Sequence, residues 1–384
     1  MGIIAMKFGG SSVADAAGFR RVRRIVERQG GRVYVVLSAP GKRHPNDFKM
    51  TDLLCRAHGG DGGALGEIHL RFSKIARALG LGDANGWLAE LDASIARSAG
   101  WAASRGEWVC ARMFARYCGM PFVDAAKLIH FDAAGRLLRE PTQRAIREMA
   151  ARLPCAVIPG FYGSLPDGEI QTFPRGGSDI TGALLGAALS AKRYENWTDV
   201  DGLLSADPAV CPRAIHHEAV SYRQMRQLSL AGARVLHPDC LAPAQEAGVP
   251  TILKNTFAPG NRGTYISDRV QAQVACVCHR DRFCAIPLEQ LGADARAVAS
   301  ALAAQTFVSA QGEALAALPG FEAGRPACIV SAFGLNASEL DAARADVDPI
   351  AVRLDDDCAR FLVPSSRVRN AVSALHERII EKAP

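Results

Sequence analysis

The sequence predicts an α/β protein: a mainly parallel sheet sandwiched by helices, followed by a smaller α+β region of ferredoxin-like units. Three observations carry this. The chain opens with an apolar strand, a glycine turn and an amphipathic helix (Ile3–Phe8, Gly9-Gly10, then Val13, Ala16, Phe19, Val22 and Val26 mostly on one face). Val33-Tyr-Val-Val-Leu and Cys155-Ala-Val-Ile are continuous apolar runs, as in strands covered on both faces. Strands and helices alternate from Ile3 to Ile266, and near Ser267–Ala272 the pattern gives way to shorter runs.

Taken in order, Lys7 stands at the end of the first strand, where its ammonium could reach a ligand at the turn; a lysine snorkelling along the surface is the alternative. Gly9, Gly10 and Ser11 follow, and a strand–glycine turn–helix unit aims backbone amides at a phosphate. No G-x-x-x-x-G-K-[ST] loop occurs. The run ending at Leu37 delivers Ser38-Ala-Pro-Gly41 to the same carboxyl edge, where open α/β sheets bind ligands. Lys49 to Asp52 opens another helix, and Gly59 to Gly66 reads as a loop. Helical stretches are expected over about Glu67–Leu79, Trp87–Ser98 and Gly106–Cys118. Glu107 falls in the first turn of the last, where a carboxylate favours the helix dipole. Pro121–Asp124 reads as a strand and Thr142–Arg152 as a helix.

The densest chemistry lies between Gly160 and Asp207. Thr172-Phe-Pro-Arg-Gly-Gly-Ser-Asp-Ile-Thr-Gly182 joins a glycine-rich loop to a helix over Ser178–Arg193, a natural anion cradle. Ser178 or Asp179 would also serve as its N-cap. The strand Tyr194–Trp197 ends in Thr198-Asp199-Val-Asp201-Gly202, and Asp207-Pro208 follows. Carboxylates and hydroxyls there suit a ribose or magnesium, or simply form turns. Helices over Tyr222–Ala231 and Pro238–Glu246 and a strand over Pro250–Lys254 complete the first domain. Beyond it, Val274–Cys278, Phe283–Pro287, Ala327–Phe333, Ile350–Leu354 and Cys358–Pro364 read as strands; Ala293–Ala304, Ser338–Ala345 and Ser366–Ile380 read as helices. The domains are therefore 1–266, a linker at 267–272, and 273–384.

Composition narrows the function. The chain has 384 residues, 49% of them hydrophobic, enough for large cores, and no run long enough to span a membrane. The start is too short in apolar residues before Lys7 for a secretory signal, so the cytoplasm is the expected location. Eleven cysteines without a CxxC pair or zinc spacing read as small hydrophobes, not a disulfide framework or a metal site. The net charge of +6 includes an arginine cluster, Arg20-Arg21 and Arg23-Arg24, on one predicted helix; with no aromatic interleaving it reads as a solvated face rather than a nucleic-acid surface.

Together these stretches resemble the aspartate kinases of the amino acid kinase family. Lys7-Phe-Gly-Gly-Ser-Ser-Val is similar to the family's opening motif, and Gly160-Phe-Tyr-Gly-Ser with Thr172–Thr181 to its substrate and phosphate loop. Trp197-Thr-Asp-Val-Asp-Gly and Ala206-Asp-Pro are similar to its nucleotide segment; Gly232-Ala-Arg-Val-Leu-His-Pro, Lys254-Asn-Thr-Phe and Gly263-Thr complete the set. The resemblance implies phosphoryl transfer from ATP, with Mg2+, to the β-carboxylate of L-aspartate. It implies that Lys7 stabilises the transferring group and that Asp179 organises that lysine or the metal environment. Arg175 would clamp the substrate α-carboxylate, beside Gly176, Gly177 and Ser178, and Glu107 would meet the α-ammonium, aided by Ser38 and Thr51. Gly9, Gly10, Ser11, Thr198, Asp199, Asp207 and Arg234 would hold ATP. The C-terminal part resembles, more weakly, tandem ACT domains, which implies a homodimer or larger homo-oligomer; the glycine loop that binds an effector is not recognisable after Phe283–Leu288. Another carboxylate or carbamate acceptor, and a non-catalytic amino-acid-binding regulator, are the competing readings.

Overall fold

The opening strand, β1 (Ile4–Phe8), is buried at every position and lies between two parallel neighbours, β2 (Val33–Leu37) and a later strand, Arg193–Thr198. Apolar residues on both faces force it into a sheet interior. The computed structural model describes residues 2–82, 84–174, 176–233, 235–237, 239–271, 273–291, 305–319 and 324–381. Two compact units result, Met1–Gly202 with Asp239–Arg269, and Leu203–Pro238 with Val270–Pro384. Residues 203–238 thus group with the C-terminal unit, because Ser205 ties into it: its carbonyl accepts from the Val277 amide at 2.7 Å and its hydroxyl meets His376 Nε2 at 2.9 Å.

In the first unit, β3 (Ala156–Pro159), β4 (Tyr162–Ser164), β5 (Ile170–Thr172), β6 (Arg193–Thr198), β7 (Thr251–Asn255) and β8 (Thr264–Ile266) follow β2. The sheet runs β3-β2-β1-β6-β7-β8, parallel except for the last pair. Register places Lys7 beside Val36 on one side and Asn196 on the other. The carboxyl ends of the parallel strands β3, β2, β1, β6 and β7 therefore meet along one edge. β4 and β5 form a separate hairpin, the loop of the predicted glycine-rich segment.

Helices cover the sheet: α1 (Ala16–Glu27), α2 (Met50–His58), α3 (Gly62–Leu79), α4 (Ala84–Ile95), α5 (Ala99–Cys118), α6 (Arg139–Arg152) and α7 (Gly177–Ala188). α1 starts where the Asp15 carboxylate accepts the Gly18 amide at 2.8 Å, and it buries Phe19, Val22, Ile25 and Val26. α7 comes close to the sheet because it carries glycines; a Cβ at Gly182 would lie 2.6 Å from the Tyr194 ring.

Several expectations are corrected. Gly62–Gly66 is the start of α3 and not loop, because Asp61 caps the Ala64 amide at 3.0 Å and offsets the glycine penalty. α5 begins at Ala99, so Glu107 lies mid-helix and not in a first turn, capped instead by Ser98. Pro121–Asp124 contributes only a bridge, Phe122 to Val157. The helix expected over Pro238–Glu246 is confined to Ala242–Glu246.

In the second unit, β9 (Cys276–Pro287), β10 (Gln305–Val308), β11 (Ala314–Pro319), β12 (Arg325–Phe333), β13 (Ala351–Leu354) and β14 (Cys358–Pro364) close into a barrel in the order β9-β11-β10-β13-β14-β12. The two strands expected between Val274 and Pro287 are one, interrupted by a bulge between Arg280 and Phe283, with Arg282 at φ +66°. β11 lacked a sequence signal because alanines break its alternation, and β10 is only four residues, Gln-Thr-Phe-Val. The helix expected over Ala293–Ala304 lies outside the described residues. α8 (Tyr222–Ala231), α9 (Leu340–Val347) and α10 (Val368–His376) also belong to this unit, where Leu375 and Val372 join Phe361 and Val330 in a core. A cavity of about 610 Å³ opens beside Gln290, Leu291, Ser309, Glu313 and Arg325.

Phe19 on α1 is fully buried and its ring meets Phe114 of α5 at 5.9 Å. Phe19→Ala is expected to cost about 3–5 kcal/mol by cavity formation, read as a lower urea midpoint.

Candidate active site

Lys7 points from β1 onto the face covered by α7, and its ammonium pairs with the Asp179 carboxylate at 2.6 Å. Lys7 is 7% exposed and the Asp179 side chain 15%, so the pair is largely, not wholly, removed from water and its mutual attraction is strengthened. The structure thus brings together the two residues from opposite ends of the sequence argument. Asp179 sits in the first turn of α7, where the free amides favour its charge. Three side chains not foreseen surround it. Asn196 Nδ2 donates to Asp179 Oδ1 at 2.8 Å, the Tyr194 hydroxyl donates to the Asp179 carbonyl at 3.1 Å, and the Cys240 thiol donates to the Gly176 carbonyl at 3.4 Å. Tyrosine and asparagine two apart on β6, which put both on one face of the strand with Asn196 in register with Lys7, were the available signal.

The edge is built of backbone. The Gly9 amide donates to the Trp197 carbonyl at 3.0 Å, the Ser38 amide to the Phe8 carbonyl at 3.1 Å and the Gly160 amide to the Leu37 carbonyl at 2.9 Å. The two turns interlock: the Gly41 amide donates to the Gly10 carbonyl at 2.8 Å, and a Cβ on Gly41 would meet Gly10 C at 2.6 Å. Gly176 caps α7 at φ +77°, a conformation natural to glycine. Gly177 has no room for a side chain against Phe173 and Phe161. Phe161 itself is held at φ +81°, a strained value for a bulky residue. Thr181 Oγ1 accepts its amide at 3.2 Å, and its carbonyl accepts the Phe173 amide at 2.8 Å. Ser178 lies under Gly160, whose Cβ would fall 2.6 Å from its Oγ.

Glu107 reaches the edge from α5. Gly106 lets the helix close on Ala39 and Met50, where a Cβ would lie 2.7 Å and 3.0 Å away, so Glu107 meets the loop after Ser38 and the helix bearing Thr51. Burial pushes the Glu107 carboxyl up to about 8, against the pull of the Ala39 amide and of Arg105. Its Oε2 is buried with no hydrogen-bond partner, a donor vacancy facing a buried acid. Arg71 fixes the following loop by donating to the Phe48 carbonyl at 2.9 Å and the Gly41 carbonyl at 2.5 Å.

α5 also carries an unforeseen stripe. Trp101, Arg105, Trp108 and Arg112 follow one another at helical spacing, with Arg97 just before the helix, and each guanidinium stands over a ring: Arg97 and Arg105 at 3.9 and 4.7 Å on Trp101, Arg105 and Arg112 at 5.1 and 4.2 Å on Trp108. Arg105 is 2% exposed and donates from Nε and Nη2 to Ser104 Oγ at 3.2 and 3.1 Å.

The nucleotide candidates divide. Thr198 and Asp199 stand at the end of β6, with the Thr198 hydroxyl donating to Asp199 Oδ1 at 3.1 Å. Asp201, not singled out before, accepts from Asn255 and Asn261, each at 2.9 Å. Asp207 belongs to the second unit, where its carboxylate accepts the Ala209 amide at 2.9 Å in a turn. Arg175 and Arg234 lie outside the described residues.

A sequence model of the amino acid kinase family matches residues 2–255. Aspartokinase 3 of Bacillus subtilis is 34% identical over 307 residues, 73% of this chain and 68% of that protein. Aspartokinase of Thermus thermophilus is 41% identical over 123 residues, a match spanning 30% of its length. Among solved structures, the aspartate kinase of Clostridium acetobutylicum superimposes with a TM-score of 0.81 at 28% identity, covering 99% of this chain and 100% of that one. Aspartokinase III of E. coli with aspartate and ADP shares the fold, with a TM-score of 0.78 at 21% identity, covering 99% and 100%.

Gly41→Ala forces the two edge turns apart. It is expected to cost about 1–3 kcal/mol by overpacking, seen as a lower melting temperature, and to lower turnover alongside.

Proposed function

The chain belongs to the amino acid kinase family, and on that premise we propose that it transfers the γ-phosphoryl group of ATP to the β-carboxylate of L-aspartate, giving 4-phospho-L-aspartate and ADP. The observation that carries this reading is the buried Lys7–Asp179 pair, 2.6 Å apart, beneath a glycine-built sheet edge.

The acceptor carboxylate is already ionised at neutral pH, so no general base is required. One of its oxygens forms a bond to the γ-phosphorus as the bond to the β-phosphate bridging oxygen breaks. The obstacle is bringing two anions into line. Lys7 lowers it by placing a positive charge at the transferring group, and Asp179 holds that ammonium in place. The amides of Gly10 and Ser11, on the turn that the Gly9 amide ties to the Trp197 carbonyl, and those at the α7 N-terminus, with Gly176, Gly177 and Ser178, give donors that cost no reorganisation. Ser38 and Thr51 flank the acceptor, and Arg175 is assigned its α-carboxylate as a bidentate fork.

Glu107 gives the amino acid its second anchor. An α-ammonium supplies the donor that Oε2 lacks, and binding it converts the buried acid to a carboxylate. Thr198 and Asp199 are assigned to ATP; the same role for Asp207 and Arg234 rests on the family resemblance alone. For magnesium, no cluster of three or more His, Cys, Asp or Glu side chains suited to a metal occurs among the described residues. Magnesium would be carried in by the ATP phosphates and held by one or two carboxylates and water, where it would neutralise charge on the phosphates.

The remaining assignments are part of the same proposal. Residues 1–266 form the catalytic domain and 273–384 an ACT-like region through which copies associate; Val308 and Leu354, 54% and 59% exposed, present apolar surface on its barrel. No helix among the described residues is long and apolar enough to cross a membrane, and all eleven cysteines are free thiols, which fits a reducing cytoplasm.

The test is hydroxamate trapping of acyl phosphate from ATP with aspartate and a panel of related acids; acyl phosphate from another acid but not from aspartate would overturn the acceptor. Lys7→Ala is expected to lower turnover roughly 10²- to 10³-fold in that assay. Glu107 also sets a pH signature. Below about 8 the free protein holds it as the acid, and ammonium binding must displace that proton. The KM for aspartate is expected to fall from pH 6 towards 8, by up to about tenfold per unit, and to level above. Glu107→Gln is expected to raise KM and flatten the profile.

A further inference from the structure

We infer that Asn196 is a positioning residue for phosphoryl transfer, holding the Asp179 carboxylate onto Lys7; this rests on the kinase reading above. Asn196 is 1% exposed, on β6, in direct register with Lys7 on β1. Its Nδ2 donates to the same carboxylate oxygen, Asp179 Oδ1, that receives the Lys7 ammonium, at 2.8 Å and 2.6 Å respectively. The amide orientation follows from that contact, since the flipped form would set two oxygens against each other. Nδ2 also donates to the Tyr194 hydroxyl at 3.3 Å, and that hydroxyl donates to the Asp179 carbonyl. Asp179 is thus gripped at its side chain and its backbone by two residues of one strand.

The other end of the amide argues that packing is not the reason for it. Asn196 Oδ1 is buried with no hydrogen-bond partner. An apolar residue of this size would avoid that penalty, so a purely structural role is poorly served by asparagine. What asparagine alone supplies at this point is a neutral donor to a carboxylate, beside a cation it does not repel. It fixes which oxygen of Asp179 faces Lys7, and therefore where the ammonium stands relative to the sheet edge. The ionisable groups facing Asn196 among the described residues are Lys7 from β1, Asp179 from α7, Tyr194 from its own strand, and Cys240, whose thiol lies 4.0 Å from Asp179 Oδ2.

Two variants test this. Asn196→Leu removes the donor while filling the space, and is expected to lower kcat roughly 10- to 100-fold, the value of a hydrogen bond to a charged group, with KM for both substrates within about threefold of wild type. Asn196→Asp keeps the shape but donates only as the protonated acid, and two facing carboxylates share one proton. Its kcat relative to wild type is therefore expected to fall as pH rises from 6 to 9, a trend that loss of stability alone would not give. A kcat for Asn196→Leu within about twofold of wild type, losses confined to KM, or a constant Asn196→Asp to wild-type ratio across pH would each overturn the inference. Should Asn196→Leu fail to fold, the pH trend of Asn196→Asp decides alone. The wild-type control keeps the two ideas apart: absence of acyl phosphate from aspartate there overturns the acceptor assignment, whereas Asn196 is judged by variant-to-wild-type ratios on whichever acid is turned over.

Discussion

The site depends on a single buried ion pair, Lys7 with Asp179. A pair taken out of water is weak as a source of stability, yet breaking it is costly, because an isolated charge is left behind. Its geometry must therefore be over-determined, and the surrounding structure does this. Lys7 is fixed by β1, a strand paired on both sides. Asp179 is fixed by the start of α7, and α7 is fixed by glycines that let it lie against Tyr194 and under Gly160. The strained backbone of Phe161 belongs to the same account: it turns the chain between β3 and the hairpin so that Gly177 can close beneath it.

Opposite in sign is the acceptor pocket. Glu107 is a buried acid with an oxygen left unbonded, and on the proposed reading the ammonium of the amino acid relieves it. On the same reading the carboxylate at the other end of that amino acid is brought towards Lys7.

Much of this was legible in the sequence. The strand–glycine–helix opening and the Thr172–Gly182 stretch located the edge, and the ordered motifs named Lys7, Asp179 and Glu107. What escaped was lateral information. Asn196 and Tyr194 matter because strand register sets them beside Lys7 and Asp179, and no linear pattern states which strands pair. Cys240 reaches Gly176 across 64 residues. Glu107 was expected near a helix start, because the cap at Ser98 was overlooked behind a glycine and two small residues. Gly62–Gly66 misled for the opposite reason: glycine content argued for loop, and one aspartate cap outweighed it.

The arginine–tryptophan stripe of α5 has its own consequence. Trp101 and Trp108 each serve two guanidiniums, so no rung belongs to only one neighbour. Replace a ring, and Arg105 loses shelter on that side while keeping its charge two residues from Glu107. A change at one ring is therefore felt by two cations at once, and the column answers to substitution as a unit along the helix that also carries Glu107.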